Sequence, residues 1–232
     1  MTEIRIPAGL PLLRGGVGRN PEDGGCLVQL ASYLSDGVSW TDRTPCVHPV
    51  LAEAAIAVND RVEDYYRPVL APLAAELVGT GTGQRPGKPG RVLNTRLALW
   101  CADRTAALRT PRRRAHCARL LAAARAWADC PCDAHWWQVR PGAGPDQWGP
   151  ADGIALCAAQ ATHARRDPSV NAARRAARGA VFALVNNATV GVDQTLGDFL
   201  TGLVAEHRRL TGHTPQPAQR WDRACELIGA TR

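Results

Sequence analysis

Residues 40–60 read WTDRTPCVHPVLAEAAIAVND, and the interpretation of the rest of the chain starts from this stretch. Pro45 and Pro49 restrict the backbone on either side of Cys46 and His48. Proline is favoured at the first position of a helix, so the stretch predicts a stiff turn that leads into a helix beginning at Pro49. The apolar stripe predicted for that helix consists of Leu51, Ala54, Ala55, Val58 and Val62.

Helical spacing of apolar residues recurs on both sides of this stretch, without convincing alternation of the kind that a strand requires. We therefore predict an all-α fold, a single-domain bundle of about eight or nine helices over residues 23–232, after an irregular lead-in over residues 1–22. Besides the helix at Pro49, the predicted helices cover residues 23–36, 66–78, 91–109, 112–129, 151–165, 169–190, 193–211 and 218–229.

The predicted helix over residues 193–211 has the most regular apolar stripe. Its members recur at three- and four-residue intervals, so they lie on one side of a helix and should be buried. The stripe consists of Leu196, Phe199, Leu200, Leu203 and Val204.

Two segments between predicted helices have compositions that are found in binding loops. Residues 79–90 are rich in glycine, but Thr82 and Pro89 depart from the Walker phosphate-loop pattern, so we interpret them as a flexible connection. Residues 129–150 form a long loop rich in tryptophan and cysteine. Cys130, Cys132 and His135 have the spacing of three zinc ligands, but paired CxxC motifs are absent, and we expect neither a metal nor a cofactor.

Composition narrows the class of protein. The N-terminus lacks the apolar segment of a signal peptide, and no apolar run approaches the roughly 20 residues of a membrane helix, so we expect a cytoplasmic protein without membrane attachment. The net charge is +7, and Lys88 is the single lysine. Nucleic-acid binding by an arginine-rich face is a less favoured interpretation than biased composition, since we find no nucleic-acid-binding motif.

The reactive side chains of residues 40–60 form the candidate site. Asp42 and His48 have the chemistry of an acid–base pair, Cys46 that of a nucleophile or pocket thiol, and Asp60 completes the candidate catalytic set. The alternative is structural, with Asp42 closing a turn and His48 capping the helix. The candidate substrate-binding residues, polar or aromatic, are Trp40, Arg43, Asn59, Trp136 and Trp137.

The run LASYL at 30–34, followed by Trp40, Asp42, Pro45-Cys46, His48-Pro49 and Asn59-Asp60, resembles a group of proteins from actinobacteria and their phages. These proteins carry a similar Ser-Asp-His-Pro, Cys, Pro, Asn-Asp order near the N-terminus. Thr41 and Arg43-Thr44 depart from that pattern. No activity is known for the group, so the resemblance implies a source and a helical fold.

From these observations we predict a protein that handles a small molecule at a pocket formed by residues 40–60, and a candidate acid–base or thiol enzyme. The alternative is a non-catalytic interaction protein that presents an arginine-rich face to nucleic acid or to an acidic partner. The oligomeric state is left open.

Overall fold

The computed structural model describes residues 13–81, 87–108, 111–131, 160–161, 163–165, 169–188 and 190–214. Within these ranges the fold is helical, as predicted, and it contains no strand. Single 3-10 turns lie at Pro21–Asp23 and Ala106–Leu108. Seven helices have both ends within the described ranges, and they are α1 Leu27–Asp36, α2 Pro49–Asn59, α3 Arg67–Leu77, α4 Lys88–Arg104, α5 Pro111–Asp129, α6 Asn171–Asn187 and α7 Val192–Thr211.

Most predicted helices are found, and the differences are at their ends. The first begins at Leu27 rather than at 23, because Pro21–Asp23 forms its own 3-10 turn, which ends at Gly24 with φ 74°. The fourth begins three residues early, at Lys88, where Pro89 occupies a favoured position near the start. The helix at 218–229 lies outside the described residues, as does most of the helix at 151–165 and of the tryptophan- and cysteine-rich loop.

The chain divides into two compact units. The first unit comprises Met1–Gly83 and Leu200–Arg232, and the second comprises Gln84–Phe199. Helix α7 contributes its first residues to the second unit and the rest to the first. Among the described residues no helix is both long enough and apolar enough to span a membrane.

In the first unit α1 packs against α3 and α2, and α2 also packs against α3. The N-terminal segment is held in place by one backbone hydrogen bond and by the side chain of Gln29 from α1. Arg14 N donates to Gly25 O at 2.9 Å, and the Gln29 side chain accepts from Gly18 N at 3.0 Å and donates to Gly18 O at 2.8 Å. A Cβ at position 18 would come within 1.6 Å of the Gly24 oxygen, so only glycine fits there.

In the second unit α4 packs against α5 and α6. The face that α6 buries is made of small side chains, which let helix backbones approach closely. Leu97 on α4 is buried, whereas Leu93 and Trp100 are half-buried. The buried small residues of α6 are Ala172, Ala173, Ala176, Ala177, Gly179, Ala180 and Ala183.

The predicted stripe of α7 is confirmed as core, since all five members are buried. Phe199 is 4% exposed, and its ring centroid lies 5.5 Å from that of Trp100. The Arg104 guanidinium lies 4.7 Å from the Trp100 centroid on the same helix. Phe199 is thus the large aromatic filler of this part of the second unit.

We expect Phe199→Ala to lower the free energy of unfolding by about 3–5 kcal/mol, since truncation removes transfer energy and leaves a cavity. The chain offers a matched control in Phe182, which is 38% exposed. Phe182→Ala should cost about 1 kcal/mol or less. Urea unfolding of both variants measures the difference, and equal losses would contradict the burial of Phe199.

Candidate functional site

The turn over residues 40–48 is fixed at its start by aromatic packing. The rings of Tyr33 and Trp40 meet edge to face with centroids 6.2 Å apart. The Trp40 ring also lies against Gly25, where a Cβ would come within 2.7 Å of it. Thr41 Oγ1 accepts a hydrogen bond from Arg43 N at 3.1 Å, and the Arg43 side chain is exposed. Trp40 therefore serves to anchor the turn.

The end of the turn is clamped by the residues that follow α3. Cys46 O accepts from Gly79 N at 2.9 Å and from Gly81 N at 3.0 Å. A Cβ at Gly81 would lie 2.0 Å from the Pro45 oxygen, so the close approach requires glycine. The Cys46 thiol is half-buried, and its Sγ accepts from Thr44 Oγ1 at 3.0 Å.

His48 is the N-cap of α2, as the structural alternative predicted. Its Nδ1 accepts from Val50 N at 3.3 Å, which satisfies a backbone N–H that the helix leaves without an internal partner. The backbone N–H of His48 donates to Thr80 Oγ1 at 3.0 Å, and the Thr80 hydroxyl in turn donates to Leu77 O at 2.6 Å. The side chain of His48 is 2% exposed, so the clamp and the cap hold the imidazole inside the first unit.

His207, from the last turns of α7, lies beside His48. The two ring centroids are 5.1 Å apart, and His207 is 1% exposed. Both ring nitrogens of His207 are buried and have no hydrogen-bond partner among the described residues. Buried polar atoms are nearly always hydrogen-bonded, so a ring with two buried nitrogens that lack such partners is unusual.

A third histidine returns toward the pair after the helix ends. Gly212 has φ 70°, which turns the chain. Thr211 Oγ1 donates to His207 O at 2.8 Å and accepts from His213 N at 3.3 Å. The Nε2 atom of His213 is also buried without a partner among the described residues. The histidine pair is His48 and His207, and His213 borders it.

Both imidazoles of the pair are held neutral. Burial lowers the pKa of His48 to about 3, and the neighbouring His207 adds to the effect. Burial also lowers the pKa of His207 to about 4, with further contributions from His213 and Arg208. The Arg208 guanidinium donates to Glu76 Oε2 at 2.7 Å, so that positive charge is paired with α3.

Asn59 and Asp60 lie at the other end of α2 and act elsewhere. Asn59 is buried and donates from Nδ2 to Arg14 O at 2.6 Å, and Asp60 accepts from Gly16 N at 2.9 Å. No hydrogen bond joins either residue to Asp42 or His48 within the described structure. The 11 helical residues from His48 to Asn59 span about 16 Å, so α2 holds Asn59 and Asp60 away from His48. Their predicted place in the site stays a prediction.

Asp42 is half-buried, and together with Asp60 it acts on the buried thiol of Cys26. Burial is the main cause of the raised pKa of Cys26, and the two carboxylates contribute to it. Asp42 therefore acts electrostatically on Cys26, the N-cap residue of α1. Among the described residues it forms no hydrogen bond with His48. Trp136 and Trp137 lie outside the described residues, and their predicted role stays a prediction.

The described histidines, cysteines and carboxylates do not form a group of three or more that could hold a metal ion. Cys132 and His135 lie outside the described residues, so the local zinc motif is not part of that statement. The predicted absence of a metal and of a cofactor stays a prediction.

The described arginines of the second unit differ in exposure. Arg174, Arg175 and Arg178 are exposed on α6, and Arg175 donates to Gln160 Oε1 at 3.0 Å. Arg165 is buried at 1% exposure. Arg125 pairs with Asp103 of α4. Nucleic-acid binding by these residues stays a prediction.

Sequence reasoning missed His207, Thr80 and His213. A signal for His207 was present, because it continues the apolar stripe of α7 one helical turn beyond Leu203 and Val204. A histidine in such a stripe is buried with it. Thr80 had no comparable signal, since its role depends on where the glycine-rich turn approaches Cys46.

The chain matches no family model, no curated protein and no solved structure in the comparisons made. The resemblance to the actinobacterial and phage group stays a prediction.

We expect the histidine pair to make the protein less stable in acid. The pKa of each ring is lowered in the folded state, so above about pH 6.5 neither state takes up a proton and the stability is at its full value. Below about pH 6.5 only the unfolded state binds protons, and stability falls by up to about 1.4 kcal/mol per pH unit for each ring. The loss continues down to the folded-state pKa values of about 3 and about 4.

Urea unfolding at about pH 7 and about pH 5 measures this slope. In His207→Leu the contribution of one ring disappears, so the loss between these pH values should shrink by about 2 kcal/mol. His163→Leu is the control, since His163 is exposed on the second unit and its replacement should leave the slope unchanged. Equal slopes in wild type and His207→Leu would show that the pKa of His207 is not lowered in the folded protein.

Proposed function

We propose that this protein binds a small polar molecule at the histidine pair of the first unit. The observation that carries the proposal is His207, whose two ring nitrogens are buried without a partner among the described residues, 5.1 Å from a second buried imidazole. The proposal keeps the predicted class of function and moves the site from residues 40–60 to His48 and His207.

Stability alone gives no reason for a histidine at position 207. Leaving a buried donor or acceptor without a partner costs about 1–3 kcal/mol. The neighbouring stripe residues Leu200, Leu203 and Val204 are apolar and fully buried, so a leucine would suit the same surroundings. Polar groups that lower stability in this way are typical of binding sites, where a ligand supplies the partner.

The two imidazoles would meet a ligand in a single protonation state, the neutral one. Both imidazoles stay neutral at neutral pH, so His207 supplies one N–H donor and one acceptor nitrogen. The cap of α2 and the clamp from Thr80 fix His48 in place, and such preorganisation reduces the entropy lost on binding.

Binding at the histidine pair does not depend on the catalytic roles predicted for Asp42, Cys46 and Asp60. Asp42, Cys46 and Asp60 do not hydrogen-bond to the histidine pair among the described residues, and no reaction is assigned to them. Their catalytic roles stay predictions. Binding by His48 and His207 stands without them.

The test combines stability with ligand screening. We expect His207→Leu to raise the free energy of unfolding at about pH 7 by about 1–3 kcal/mol, because it removes two unpartnered polar atoms at nearly constant volume. The measurement is urea unfolding at equilibrium. The exposed His163→Leu should change stability by about 0.5 kcal/mol at most.

The same variants are screened by thermal shift against a library of small polar metabolites. A ligand of the histidine pair should raise the melting temperature of wild type and of His163→Leu, and it should leave His207→Leu unchanged. Equal shifts in wild type and His207→Leu, or no shift with any compound, would contradict the proposal.

A further inference from the structure

The bond that caps α2 decides which nitrogen of His48 carries its proton. The backbone N–H of Val50 donates to Nδ1 at 3.3 Å, and a nitrogen that accepts a hydrogen bond in a neutral imidazole has no proton of its own. The proton is therefore on Nε2. His48 presents a donor, and no acceptor, on the side of its ring away from the cap.

His207 has no comparable constraint. Neither of its nitrogens is hydrogen-bonded to a described residue, so either can carry the proton. The pair thus combines one fixed donor with one ring that adapts. His48 therefore selects among ligands, because Nε2 can become an acceptor only if Nδ1 gives up its hydrogen bond from Val50 N.

The charged side chain beside the pair is already neutralised by an ion pair, so it does not offset the charge of a buried ionic ligand. The charged group that acts on His207 is Arg208, and its guanidinium is bonded to Glu76 of α3 at 2.7 Å. His213, from the segment after α7, also acts on His207, and His207 acts on His48. Burying an ion beside neutral imidazoles is costly, so an uncharged ligand is favoured over an anion.

The tautomer also disfavours a metal ion. A ligating nitrogen must be unprotonated, whereas Nε2 of His48 carries the proton as long as Nδ1 caps α2. Metal binding at Nε2 would place a proton on Nδ1 against the Val50 N–H. The described residues around the pair also offer no third ligand of suitable geometry.

We infer that the ligand of the histidine pair is an uncharged molecule that offers a hydrogen-bond acceptor, such as an amide or ketone oxygen, to the Nε2–H of His48. This inference rests on the proposed function and names the class of ligand. His48 is then the residue that determines specificity, and the N-cap of α2 fixes its preference.

The first experiment needs no ligand. Nitrogen-15 NMR of the full chain, labelled at histidine and kept at about pH 7, reports which ring nitrogen is protonated. We expect His48 to be protonated at Nε2 and unprotonated at Nδ1, with Val50→Pro, which lacks the capping N–H, used to assign its signal. Protonation at Nδ1 would overturn the inference and leave the proposed function standing.

The second experiment compares three probes on the same labelled protein. Acetamide and acetate share a skeleton and a carbonyl oxygen and differ in charge, and zinc ion tests ligation. Acetamide should shift the ring signals of His48 and His207 saturably, acetate should bind at least about tenfold more weakly, and zinc should not bind the pair. Tighter binding of acetate or stoichiometric zinc at the rings would overturn the inference.

A variant separates the donor from the cap. In His48→Ser a hydroxyl can still cap α2, but the Nε2–H is gone, so acetamide binding should weaken about tenfold. His163→Ser should bind acetamide as wild type does. Unchanged binding in His48→Ser would overturn the role of His48, and failure of wild type to bind any of the three probes would overturn the proposed function together with this inference.

Discussion

The first unit depends on the two hydrogen bonds that Cys46 O accepts from Gly79 and Gly81. They join the end of α3 to the turn that precedes α2. That contact brings Thr80 to the backbone of His48 and holds the imidazole where it can cap the helix. Close backbone approach of this kind requires glycine at position 81, since any Cβ would collide with Pro45. A backbone constraint thus sets the position of a side chain.

In the site that we propose, one hydrogen bond of His48 serves both structure and recognition. The cap satisfies an N–H of α2, and the same bond holds the proton of His48 on the opposite nitrogen. Burial keeps the ring neutral, so in our proposal it recognises a ligand by hydrogen bonding rather than by charge. His207 completes the pair at a cost in stability, because apolar side chains surround its position on α7.

The second unit follows a different rule. Helix α6 buries a row of small residues, and α4 supplies Leu97 and Trp100 on its side of the unit. Close helix packing leaves room for few large side chains, so Phe199 and Trp100 take a large share of the aromatic contact there. The described arginines are distributed between burial, ion pairs and solvent.

The sequence by itself determined the helices, the cap and the core stripe, because these follow from local spacing. Pro49 and His48 specified the start of α2, and the intervals among Leu196, Phe199 and Leu203 specified the buried face of α7. The site was only half predictable. Its first member, His48, lay in the stretch that organises the chain, and the length of α2 separates Asn59 and Asp60 from it. Only the tertiary structure brought His207 to His48 and Thr80 to its backbone, since such meetings depend on how distant helices pack and leave no periodic trace in either segment.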